Sequence, residues 1–133
     1  MQFSDNLNSD RDCFTTLKRW MENRNQGKMF SDYFNQYGYR KIAIYGAGDM
    51  GRLLYEEIKN SEITVSYFVD RNAEGIRRVE SIPVISVQGI ESMEKVDVLV
   101  VTPVGNYDEI CRVLARNIPG LPTLSLREAV YEF

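Results

Sequence analysis

Apolar residues recur along this chain in two rhythms, one before residue 40 and another after it. In the first part Cys13, Phe14, Leu17, Trp20 and Met21 fall at i, i+1, i+4, i+7 and i+8. That spacing draws one apolar arc on a helix predicted over 10–25. Arg11, Asp12, Lys18, Arg19 and Glu22 fill the remaining surface. Asn8, Ser9 and Asp10 all have side chains suited to capping its start, and residues 1–9 read as a loose tail. Gly27 interrupts the pattern. A second helix, over 29–37, sets Phe30, Tyr33, Phe34 and Tyr37 on one face, and Gly38 suits a left-handed stop. The two helices are expected to pack on one face of whatever follows. A homodimer surface is the competing reading, because Trp, Tyr, Phe and Met are enriched at interface centres.

After residue 40 the rhythm changes to short apolar runs alternating with helical segments. Strands are predicted over 42–45, 63–69, 82–85, 96–102 and 121–124. Helices are predicted over about 52–60, 87–93 and 107–117, with a last helical turn capped by Ser125. The first of these helices carries Met50, Leu53, Leu54 and Ile58 inward. Lys41, Glu56 and Glu57 are assigned to solvent, along with Lys59 and Asn60. Residues 71–81 are polar, contain Gly75 and the pair Arg77-Arg78, and read as a loop. Such alternation specifies an α/β fold. Continuous apolar strands such as Ile42-Ala-Ile-Tyr45 suit a mostly parallel sheet covered on both faces.

The turn after the first strand carries the chemistry. Gly46-x-Gly48-x-x-Gly51 follows a strand and opens an amphipathic helix. Gly46 permits a tight turn, Gly48 lets backbone approach a phosphate, and Gly51 lets the helix pack close to the sheet. The free N–H groups at the helix start, helped by its dipole, then offer an anion site. The next strand ends in Asp70, 19 residues beyond Gly51. A carboxylate there can accept from both hydroxyls of a ribose. This is the opening βαβ unit of a dinucleotide-binding fold. Asp49 puts a negative charge at the mouth of the loop and Met50 adds bulk, both unfavourable to a pyrophosphate. Arg71 can reach a phosphate or stack on a base. The loop over 102–108 belongs at the same sheet edge, where Thr102, Gly105 and Asn106 can touch a base or sugar. Tyr45 and Tyr107 are weaker candidates. The expected cofactor-binding set is Gly46, Ala47, Gly48, Asp49, Met50, Gly51, Asp70, Arg71, Thr102, Gly105 and Asn106.

Composition narrows the chemistry further. The chain of 133 residues has enough length for one domain with a core. A full six-stranded dinucleotide domain usually needs more, so the sheet is expected to hold four or five strands. There is no histidine, which removes a histidine base, a Ser/His/Asp triad and histidine zinc sites. No catalytic team and no metal site emerges. The net charge of −3 is spread without basic blocks, against nucleic-acid binding. No apolar run approaches the roughly 20 residues that cross a bilayer, and the polar, acidic first residues do not read as a signal peptide. The cytoplasm is the expected compartment. Cys13 and Cys111 are far apart in sequence; free thiols are expected over a disulfide.

From about Arg40 to Glu128 the chain resembles a known domain. The matching features are residues 42–51, the strand end Tyr67-Phe-Val-Asp70, Ile82-Pro83-Val84, and Asp97-Val-Leu-Val-Val-Thr102 with its following glycine. They are similar to the small Rossmann-like, nucleotide-sugar-binding N-terminal domain of bacterial sialic-acid and bacillosamine O/N-acetyltransferases. They are also similar to the related domain of membrane-associated polysaccharide-biosynthesis epimerase/dehydratase proteins. The resemblance implies that the glycine loop lies by the phosphates of a UDP-sugar and that Asp70 contacts the nucleotide. In those acetyltransferases the loop has glycine and histidine where this chain has Asp49 and Met50. Their catalysis resides in a separate left-handed β-helix of hexapeptide repeats, which nothing here resembles.

The expected fold is therefore a small Rossmann-like three-layer α/β domain over 39–133, preceded by a helical arm over 1–38. The expected function is non-catalytic binding of a nucleotide or nucleotide-sugar, with a UDP-sugar favoured, in surface-polysaccharide or sugar-nucleotide metabolism. An NAD(H)-binding domain of an oxidoreductase or epimerase stands as one alternative. A dimerisation module with a vestigial site stands as another.

Overall fold

The structure is a computed structural model that describes residues 2–133, with side chains from Asp10 onward. It is a mixed α/β fold with one six-stranded sheet flanked by helices. The helices are α1 (Gln2–Asn25), α2 (Phe30–Gln36), α3 (Asp49–Ile58), α4 (Ala73–Ile76), α5 (Tyr107–Asn117) and α6 (Leu126–Ala129). The strands are β1 (Lys41–Tyr45), β2 (Thr64–Val69), β3 (Arg78–Val79), β4 (Ile82–Ile85), β5 (Val98–Val101) and β6 (Thr123–Ser125). Strand order is β3-β4-β2-β1-β5-β6. Every pairing is parallel except the β3–β4 hairpin at the edge.

Chain direction across the sheet follows from this order. After β1 the chain moves one way, to β2 and then β4, and it returns past β1 to lay down β5 and β6. The order of strands reverses at β1, so the loops after β1 and β5 diverge and leave a crevice at the carboxyl edge. The alternation of side chains along β1 feeds two cores. Ile42 and Ile44 join Phe68, Val98, Val100, Leu54, Ile58 and the aromatics of α1 and α2 on one face. Ala43 and Tyr45 join Tyr67, Val69, Leu99, Val101, Ile110 and Leu114 on the other.

Several sequence expectations need correction. The sheet has six strands, not four or five, because residues 71–81 contain α4 and the two-residue β3 rather than a plain loop. A two-residue strand has no periodicity to read, and its turn uses Glu80 at φ 53 instead of a glycine. Residues Val87–Ser92 form a 3-10 helix, not an α-helix. The segment is short, has Gly89 in its middle, and Ser86 makes no side-chain cap. Helix α1 starts at Gln2, so the tail expected over 1–9 is helical from there; Met1 lies outside the described residues.

The larger correction concerns which arc of α1 is buried. Its core-facing positions are Thr16, Trp20 and Asn23, all nearly inaccessible. Only Trp20 belongs to the apolar arc; Phe14, Leu17 and Met21 stay on the surface. Polar residues win the inner arc because each finds a partner. The Thr16 hydroxyl donates to the Asp12 carbonyl at 2.7 Å, and Asn23 Nδ2 donates to the Val130 carbonyl at 2.7 Å. On α3, Leu53 is likewise exposed, while Tyr55 takes a buried place.

Glu57 was assigned to water by helical periodicity, yet its side chain is only 1% exposed. Its carboxylate accepts from Trp20 Nε1 and from the Phe30 N–H, each at 2.7 Å, with the Arg24 guanidinium 3.5 Å away. One carboxylate on α3 thus fastens both helices of the arm. Phe30 lies in the same cluster, with ring centroids 5.5 Å from Trp20 and 5.0 Å from Phe133. Tyr33 donates to Glu132 in a short hydrogen bond. Burial, followed by that bond, raises the Tyr33 phenol well above its ordinary value of 10.0. The arm is therefore packed on the sheet and shares its core. Cys13 and Cys111 are free.

Candidate functional site

The glycine loop is built from its neighbours' bonds. The Gly46 N–H donates to the Val69 carbonyl at 2.7 Å, which carries the chain off β1 alongside the end of β2. Gly46 itself has φ +101, and a Cβ there would meet Thr102 Oγ1 at 2.6 Å. Gly51 sits against the same turn: its Cβ would lie 1.9 Å from the Gly46 carbonyl oxygen. Both glycines are required by the fold alone.

Gly48 is different. Its backbone, at φ −87 and ψ −159, is extended and open to any residue. A Cβ added there meets nothing within 4 Å. Its angles and surroundings admit a side chain, and as the N-cap of α3 it is a residue type that helix starts favour over alanine or valine. It immediately precedes α3, whose first-turn N–H groups at Asp49, Met50 and Gly51 have no hydrogen-bond partner among the described residues. Gly48 makes no side-chain cap either. Asp49 is exposed on the outer side of the helix start. Met50 is partly buried against the core beneath α3.

Asp70 follows β2 and braces the loop. Its Oδ2 accepts from the Ala47 N–H at 2.8 Å, and its Oδ1 accepts from the Asn72 N–H at 2.9 Å. Each oxygen keeps a further lone pair for another donor. Ala47 is buried, its N–H held by Asp70 and its carbonyl accepting from Arg52 Nε at 2.9 Å. Thr102 is buried too; its hydroxyl donates to the Tyr45 carbonyl at 2.7 Å and fastens the end of β5 to β1. Of the sequence-selected set, Ala47 and Thr102 shape the loop from inside. Gly46, Asp70, Arg71 and Asn106 line one cleft, Gly105 and Asn106 line the next, and Gly48, Asp49, Met50 and Gly51 line neither.

That cleft has a volume of about 550 Å³, within the range of small-molecule sites. It lies at the crevice where strand order reverses. Tyr45 and Gly46 come from the β1 loop, Asp70 and Arg71 from the β2 loop, and Pro103 and Asn106 from the β5 loop. Sequence reading missed Ser86, Gln88 and Glu109. The first two follow β4, and only the pairing of β4 beside β2 brings that loop to the same edge. Glu109 stands on the first turn of α5. A second cavity of about 540 Å³ adjoins it, lined by Tyr107, Asp108, Arg112, Ser125 and Arg127 among others. Burial raises the Tyr107 phenol above its ordinary range, so it remains protonated, with its oxygen 3.2 Å from Thr123 Oγ1.

Asn106 separates the two cavities and has φ 56, a left-handed conformation uncommon outside glycine. Among the described residues no helix is long and apolar enough to cross a membrane. Nor do three His, Cys, Asp or Glu side chains converge among them as a metal-holding group.

No curated protein and no solved structure matches this chain. One family does, over residues 38–119, a span that runs from ahead of β1 through the glycine loop, Asp70 and α5, and leaves α1 and α2 outside. The chain belongs to that family, described as C2185-like, N-terminal.

Proposed function

We propose that the crevice at the carboxyl edge binds a nucleotide or nucleotide-sugar, a UDP-sugar before others, and that the chain holds this ligand without performing chemistry on it. The observation that carries the reading is Gly48, a glycine that neither its backbone angles nor its packing require. A ligand that must come within contact distance of the backbone supplies a reason beyond capping. The unpartnered N–H groups of the first turn of α3 stand beside it, as a phosphate would need. The parallel order β4-β2-β1-β5-β6 supports a Rossmann-like arrangement, with β3 as an added edge. The resemblance to nucleotide-sugar-binding domains of surface-polysaccharide enzymes points to a cytoplasmic role in sugar-nucleotide metabolism.

Calorimetric titration with UDP, UDP-glucose, NAD and NADP tests the proposal, with Gly48→Val alongside the parent chain. Saturable UDP or UDP-glucose binding in the parent, absent in a Gly48→Val variant that still melts cooperatively, supports it. NAD binding without UDP binding moves the reading to a dinucleotide domain of an oxidoreductase. Binding of none of the four overturns it.

A second reading concerns the arm. Phe14, Leu17 and Met21 are 65%, 37% and 61% exposed, with Leu53 of α3 beside them at 46%. We infer that a second copy of the chain covers this face. The Lys18–Glu22 pair at its rim, 2.8 Å apart, brings both signs of charge to a self-facing contact. Sedimentation equilibrium of the parent and of Met21→Glu decides the matter: a dimer converted to monomer supports the contact, and a monomeric parent removes it.

A further inference from the structure

The cleft assigned above to the nucleotide does not end at Asn106. The neighbouring cavity of about 540 Å³ shares Pro103, Asn106 and Glu109 with it. The two cavities meet at these three residues, around the start of α5. Their linings differ in kind. The first includes apolar surface from Tyr45, Val87, Ile110 and Val113, suited to a flat base. The second is dominated by donors and acceptors: Asp108, Glu109 and Glu128 against Arg112 and Arg127, with Tyr107 at the side.

We propose that this second cavity is the subsite for the non-nucleotide half of the ligand, and that it takes a neutral, polyhydroxylated ring. The proposal rests on the nucleotide reading of the first cavity. A hydroxyl both donates and accepts, so it is satisfied by carboxylates and guanidinium groups placed together. An anion is not: three carboxylates against two guanidinium groups leave the cavity with a net negative charge, and Arg127 already pairs with Asp12 at 3.5 Å. Arg112 has no ion pair among the described residues and stands exposed on α5, free to donate two parallel hydrogen bonds to adjacent hydroxyls. Asn106, held left-handed at the ridge, faces both cavities.

Affinity ratios test this directly. UDP, UDP-glucose and UDP-glucuronate are titrated into the parent chain and into Arg112→Ala, a substitution on an exposed helix surface that favours the helix. Circular dichroism and melting establish that the variant is folded. In the parent, UDP-glucose is expected to bind about tenfold more tightly than UDP, the worth of one or two net hydrogen bonds, and more tightly than UDP-glucuronate. In Arg112→Ala the ratio of UDP-glucose to UDP affinity is expected to fall towards one. If UDP binds and UDP-glucose binds no better, the subsite is refuted while the nucleotide reading stands. A ratio unchanged in Arg112→Ala, or a preference for UDP-glucuronate, also overturns it. If UDP itself does not bind, the underlying reading fails and this inference with it.

Discussion

Replacing Glu57 by alanine tests how the arm is held. The carboxylate accepts two buried N–H groups, Trp20 Nε1 and Phe30 N, each at 2.7 Å, and it is 1% exposed. A hydrogen bond to a charged group contributes about 1.5–3 kcal/mol net, and a buried donor left without an acceptor costs about 1–3 kcal/mol. Against this stands relief of the carboxylate's own desolvation, several kcal/mol. Removing one partner from such a buried set costs about 3–5 kcal/mol. That is a large share of the roughly 5–15 kcal/mol that holds a typical domain together. Urea unfolding provides the measurement, and the chain's single tryptophan is Trp20 itself, so indole fluorescence reports the broken contact. With a slope of about 1–3 kcal/mol/M, the midpoint of Glu57→Ala should fall by at least about 1 M. Arg24→Ala is the control. Arg24 is 53% exposed and 3.5 Å from Glu57, so its removal should cost less than about 1 kcal/mol. A loss below about 1 kcal/mol in Glu57→Ala, or an equal loss in Arg24→Ala, would refute the view that N–H acceptance rather than charge pairing fastens the arm.

Other expectations follow from the loop and from the arm's far end. Gly51→Ala should destabilise by more than about 3 kcal/mol, since its methyl would overlap the Gly46 carbonyl; a normal melting temperature would show that α3 can shift. Gly48→Ala should cost only about 1 kcal/mol, the loss of a favoured N-cap residue; a much larger loss in the same melt would mean that packing, not a ligand, explains this glycine. Thr102→Val should lose the 2.7 Å bond to Tyr45 and cost about 1–2 kcal/mol by denaturant titration. Tyr33 predicts an alkaline effect. Its folded value is raised, so its contribution is fully present below the unfolded value of 10.0 and is lost as pH rises beyond that. Stability measured from pH 9 to 11 should therefore decline less steeply in Tyr33→Phe; parallel curves would remove Tyr33 from the account.

The parts of this fold legible in the sequence are those with local causes. Helix α5 is predicted at its observed bounds because its apolar spacing and Pro119 beyond it agree. Ser125 is predicted as a cap and accepts from the Glu128 N–H at 3.3 Å. Strands β1, β2 and β4 announce themselves as apolar runs bounded by polar residues. What stayed hidden depends on contacts distant in sequence. Periodicity on α1 selects the most apolar arc, but Asn23 wins a place on the inner face because Val130, 107 positions on, offers it a partner. Glu57 looks solvated until two N–H donors from another part of the chain are placed against it. At the crevice, Asp70 and the glycines were evident from spacing. Ser86 and Gln88 reach the same edge only through strand order, and spacing along the chain contains no trace of that.

The bond from Asn23 to Val130 joins residues 107 positions apart, and the one from Tyr33 to Glu132 joins residues 99 apart. The first helices of the chain thus dock on its last turn. Helices α1 and α2 have no complete surface to rest on until residues 130–133 are in place. Contacts over such separations raise the contact order of the fold, which slows folding. The arm's attachment therefore depends on residues far along the chain, and a change in Val130–Phe133 is felt at Trp20 and Phe30.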